Sequence, residues 1–122
     1  MKHRVLVVDD SAASRQQIRY ILSQEGMDLD FADSFDDAET KLRSSGYDLV
    51  IIDEEVEGFD DKRLLGTLPG PGADRILSLL FIGSETAPEE ALSGCNGIDC
   101  RRISKPFSTD TLRSAVHRFS FS

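Results

Sequence analysis

Five side chains that could carry chemistry each follow a short stretch that reads as a strand. Asp9 and Asp10 come after Val5–Val8, Asp53 after Leu49–Ile52, Ser84 after Ile76–Ile82, and Lys105 after Arg101–Ser104. Two adjacent carboxylates at the end of a buried strand repel each other and resist dehydration. Three carboxylates meeting at one place need positive charge. An oxygen-rich acidic site with room for water suits Mg²⁺, and one such ion with the Lys105 ammonium would cancel three carboxylate charges. The plainer reading of Asp9 and Asp10 is an acidic helix cap. Caps alone do not account for an acid, a hydroxyl and an amine at three further strand ends.

Alternating elements must position these groups. Val5–Val8, Leu29–Ala32, Leu49–Ile52, Ile76–Ile82 and Arg101–Ser104 read as strands, mostly apolar and β-branched as in buried parallel sheets. Between them, Ile18, Ile21 and Leu22 repeat at helical spacing from Ala12 to about Gln24, with Gly26 as the stop. Ser34 caps a second helix carrying Phe35, Ala38 and Leu42, with Asp36 and Asp37 in its first turn. Lys62–Thr67 reads as a weak helix around Leu64 and Leu65. Pro88, Glu89 and Glu90 read as the start of a short helix interrupted by Gly94 and Gly97. Ser108 opens the last helix, with Leu112, Ala115, Val116 and Phe119 on one face. The fold class is therefore α/β: a single doubly wound (βα)5 domain over residues 1–122, its parallel sheet covered by helices on both faces. In strand order 2-1-3-4-5 the first and third strands are neighbours at the switch point, where ligands bind beyond the carboxyl ends.

Composition narrows the classes. With 22 Asp and Glu against 14 Lys and Arg, the net charge is −8, which argues against nucleic acid as a direct ligand. No apolar run reaches membrane-span length and no signal peptide is legible, so a cytoplasmic location is expected. Cys95 and Cys100 lack zinc-site spacing and read as free thiols. His3 and His117 read as surface residues.

The stretches "VLVVDDSAASRQQIRYIL", "YDLVIIDEEVEGFDD", "FIGSET" and "ISKPF" resemble the four motifs of bacterial response-regulator receiver domains, across essentially the whole chain. The resemblance implies that Asp53 is the phosphoacceptor for a histidine kinase or phosphotransfer protein. It implies Mg²⁺ held by Asp10, Asp53 and the backbone carbonyl of Glu55, with Asp9 acting mostly through water. Ser84 and Lys105 would contact the phosphoryl group, and the Lys105–Pro106 bond would be cis. The signal would pass to a downstream protein or to an output domain absent from this chain. The surface carrying it would comprise the fourth helix, fifth strand and last helix, made locally basic by Arg101, Arg102, Arg113 and Arg118.

The chain departs from the family pattern in three places. Val56 and Glu57 stand where a Met-Pro pair is usual, and Arg102 stands where an aromatic switch residue is usual. Either Ser84 or Gly83 occupies the hydroxyl position; with Ser84 there, Glu85 adds negative charge beside the site. An arginine cannot turn inward as a tyrosine can without losing solvation or finding a partner. Two readings follow: a phosphorylation-dependent switch with no external substrate, or a pseudo-receiver serving as a phosphorylation-independent interaction module. A metal-dependent hydrolase or flavin carrier lacks its motif, since Asp9 and Asp10 are adjacent and no phosphate-cradling loop follows the first strand.

Overall fold

The computed structural model describes residues 3–44, 46–67, 78–83, 90–92 and 99–119. Among these residues six strands, β1 (Arg4–Val8), β2 (Asp28–Ala32), β3 (Leu49–Asp53), β4 (Ser78–Gly83), β5 (Glu90–Leu92) and β6 (Asp99–Ser104), form one sheet in the order β2-β1-β3-β4-β6-β5. The first five in that order run parallel, as the alternating pattern implies, and only β5 is antiparallel. Among the described residues four helices accompany them: α1 (Ala12–Ser23), α2 (Phe35–Ser44), α3 (Asp61–Thr67) and α4 (Thr109–His117).

Local chemistry explains most boundaries. The Ser11 hydroxyl accepts the Ser14 N–H and opens α1, and Gly26 beyond it takes the left-handed φ of 74° that glycine allows. Ser34 Oγ accepts the Asp37 N–H at 3.2 Å, so the anticipated cap of α2 is made. Ser108 does the same for α4 through the Thr111 N–H at 3.1 Å. The stretch expected to begin a helix at Pro88 departs from the reading: Glu90–Leu92 extends along β6 instead. Fewer than two turns separate Pro88 from Gly94, too few for a helix to offset its nucleation cost. Three residues of ladder satisfy the backbone of β6 at once.

Apolar cores lie on both faces of the sheet. Val5, Val7, Leu49, Ile51, Leu80, Ile82 and Ile103 pack against Ile18, Ile21 and Leu22 of α1 and Leu112, Ala115 and Val116 of α4. The alternate residues Leu6, Val50, Ile52, Leu79 and Cys100 face Phe35 and Ala38 of α2 and Leu64 of α3. All five residues of β3 are buried, as befits the central strand of a doubly covered sheet. Cys100 is buried, and Cys95 lies outside the described residues. His117 is exposed and pairs with Glu25, tying α4 to the end of α1.

Candidate functional site

Three parallel strands deliver the residues at their carboxyl ends to one rim. Asp9 directly follows β1, and its N–H donates to the Ala32 carbonyl at 3.0 Å, holding it against β2. Its side chain turns inward, 1 % exposed, and Oδ1 accepts the Ser11 N–H at 2.8 Å. Asp53 ends β3 and is buried as well; its Oδ1 accepts the Glu55 N–H at 2.8 Å. Lys105 follows β6, where its N–H donates to the Gly83 carbonyl at 2.8 Å and the Lys105–Pro106 bond is cis. From there Nζ donates to Asp53 Oδ2 at 2.5 Å and stands 3.9 Å from Asp9 Oδ2.

The electrostatics follow from this geometry. Burial raises the Asp9 pKa; the Ser11 N–H and the Lys105 charge work against that rise, and the charges of Asp53 and Asp10 add to it. Burial opposes the charged form of Lys105. The Asp53 hydrogen bond and the charges of Asp9, Asp53 and Glu55 outweigh that and raise its pKa. Asp10 is exposed at the mouth, so the adjacent acids share the rim unequally.

Among the described residues no three acidic, His or Cys side chains form a ready-made metal cage, and Lys105 stands close to both buried acids. One observation does fit a hard cation. Asp9 Oδ2 is buried and, among the described residues, has no hydrogen-bond partner. An anionic oxygen left that way is costly unless a cation or ordered water meets it.

The loop after Asp53 compensates for its missing Met-Pro pair. Val56 is buried, with its N–H on the Asp53 carbonyl at 3.1 Å. Gly58 takes φ 83°, and Phe59 meets Phe35 and Phe81 edge-on at 6.0 and 6.3 Å between ring centroids. Ser84 lies outside the described residues. At Gly83 a Cβ would fall 2.4 Å from Arg102 Nη2 and 2.9 Å from Glu54 Oε1, so a guanidinium fills the space of the absent side chain.

Arg101 and Arg102 do not share a patch. As neighbours in β6 they take opposite faces: Arg101 lies over the Phe119 ring, its Cζ 5.8 Å from the centroid, while Arg102 reaches Glu54. Sequence reasoning missed Glu54 as the partner that lets Arg102 turn inward. The available signal was an acid directly after Asp53, hidden among the other carboxylates of that loop.

Comparison with known proteins agrees with this architecture. Two curated relatives are phosphate regulon transcriptional regulatory proteins PhoB, from Klebsiella pneumoniae and Escherichia coli. Each is 26% identical over 116 residues, covering 95% of this chain and 51% of the relative. The chain thus spans about half the length of the curated relatives it matches. Among solved structures, the chemotaxis response regulator CheY4 of Vibrio cholerae superposes with a TM-score of 0.79 at 24% identity, over 97% of this chain and 98% of that one. A CheY-like receiver domain from Methylobacillus flagellatus gives 0.75 at 20% identity, over 96% and 98%. The family model described as the response regulator receiver domain matches residues 5–117. With the strand order, the three-residue rim and that match on one chain, this protein belongs to the response-regulator receiver domain family.

Proposed function

We propose that this receiver domain is a phosphorylation-dependent switch whose phosphoacceptor is Asp53. The observation that carries the reading is the Lys105 ammonium 2.5 Å from Asp53 Oδ2, beside a buried Asp9 oxygen that, among the described residues, has no hydrogen-bond partner. A carboxylate so placed has a cation beside the oxygens where an incoming phosphoryl group would sit.

In the transfer, an Asp53 oxygen attacks phosphorus on a phosphohistidine donor, a histidine kinase or phosphotransfer protein. The P–N bond breaks as the P–O bond forms, and the imidazole keeps the electron pair and takes a proton from solvent. Asp9, Asp10, Asp53 and the Glu55 carbonyl are the oxygens that would hold Mg²⁺, which when bound neutralises charge on the transferring oxygens. Lys105 orients Asp53 beforehand and pairs with the phosphoryl group afterwards, with the Ser84 hydroxyl as a further donor. The protein then acts on no external substrate; its chemistry is self-phosphorylation and loss of the phosphate. The readout is a changed protein-binding surface, serving a separate partner or an output domain, in the cytoplasm. The name of the PhoB relatives supports a regulatory output of that kind.

Incubation with acetyl phosphate and Mg²⁺, followed by intact-mass measurement, should show one added phosphoryl group that Asp53→Asn abolishes. A second reading, the pseudo-receiver, is favoured by the glycine at position 83 and the Arg102–Glu54 pair. No mass gain at saturating donor would establish it in place of the switch.

A further inference from the structure

Arg102 stands in register with Phe81 of β4, yet its guanidinium crosses that strand to reach the loop after β3. Its Nε donates to Glu54 Oε1 at 2.7 Å, with the two side chains 24% and 31% exposed. The crossing point is Gly83, where any Cβ would collide with the guanidinium. The pair is thus half enclosed and sterically seated, unlike two long chains meeting in open solvent. Glu54 is also the covalent neighbour of Asp53, and its N–H donates to the Ile82 carbonyl at 2.9 Å, which fixes its backbone beside β4.

We propose that Arg102 is the residue that senses the charge at position 53: Glu54 holds it in the unmodified protein, and a phosphoryl group on Asp53 draws it away. This rests on the reading of Asp53 as the phosphoacceptor and names the device that reports it. A phosphoryl group carries more charge than Glu54 and offers oxygens that match the flat guanidinium fork. The two acidic positions are consecutive in the chain, and Gly83, whose open Cβ side the guanidinium fills, accepts the backbone N–H of Lys105, whose ammonium touches Asp53. Arginine at the switch position therefore does by ion-pair exchange what an aromatic ring would do by burial.

The test uses the full chain, ¹⁵N-labelled, titrated with fluoroberyllate and Mg²⁺ as the phosphoryl mimic. The Arg102 Nε–Hε resonance, identified by its loss in R102K, should shift as the mimic saturates Asp53. E54Q removes the competing acid and should bind the mimic about fivefold more tightly, while R102A should bind it about fivefold more weakly. The wild-type resonance needs no folded variant beyond its assignment. If the mimic binds while that resonance stays put, or if E54Q binds no more tightly, the exchange is wrong and the phosphoacceptor reading stands. If wild type neither binds the mimic nor gains mass from acetyl phosphate, both fall together.

Discussion

Asp9 and Asp10 are identical in type and adjacent, yet one is buried against β2 and the other meets solvent. Strand alternation sends consecutive side chains in opposite directions, and only the sheet's position decides which direction is inward. A second example lies at the far end of the sheet. The Tyr47 hydroxyl donates to Asp30 Oδ2 at 2.7 Å, and Arg4 Nη2 reaches the same oxygen at 3.1 Å. Burial first, then the Asp30 hydrogen bond and charge, push the Tyr47 pKa up to about 12. A pKa raised on folding contributes stability that is complete below the unfolded value of about 10. That contribution is lost as pH rises through the folded value. Tyr47→Phe should therefore cost about 1 kcal/mol at neutral pH, and the difference from wild type should shrink above pH 10 and change sign before pH 12. Urea unfolding at pH 7, 10 and 12 checks this; a constant difference across that range would assign the cost to packing alone.

At the scale of elements, β4 is the hinge of the site, because it separates β3 from β6 and its last residue lies beneath the Arg102–Glu54 pair. Gly83→Ala sets a Cβ against the far end of a flexible side chain, so the arginine should swing out while the strand survives. Thermal unfolding should show a loss of about 1 kcal/mol or less, with the Arg102 Nε–Hε resonance moved to a solvent-exposed position. A loss of several kcal/mol would mean that strand β4 itself is strained. Two elements behaved differently from their sequence patterns. Glu90–Leu92 pairs as an edge strand where a helix was anticipated, because backbone pairing with β6 outweighs the propensity of so short a segment. The loop after β3 lacks its usual Met-Pro pair but is anchored by Val56 and by Phe59 between two aromatic rings.

Across the whole molecule, apolar cores pack both faces of the sheet while Asp9, Asp53 and Lys105 gather at one end of it. Among the described residues no helix is long and apolar enough to cross a membrane. Mutual repulsion of the acids at the rim sets stability against function, and a bound cation should relieve it. Millimolar Mg²⁺ at about ten times its Kd should raise the melting temperature by about 3–6 °C, and Asp53→Asn should abolish the shift. Calorimetry with and without a chelator checks both. An unchanged melting temperature in wild type would remove the hard-cation reading.

The order of elements apart from the edge strand β5, the parallel strands and the placing of Asp9, Asp53 and Lys105 at strand ends were legible in the residues alone. Apolar periodicity records which segments are buried, and the strand ends of a doubly wound sheet are where a site must form. Tertiary structure decided the finer matters: that Asp9 is the buried acid, that Arg101 and Arg102 face opposite ways, and that Glu54 is the partner of Arg102 across Gly83. Each depends on how strands distant in sequence lie beside one another, and a linear pattern carries no record of which side chain fills its neighbour's empty space.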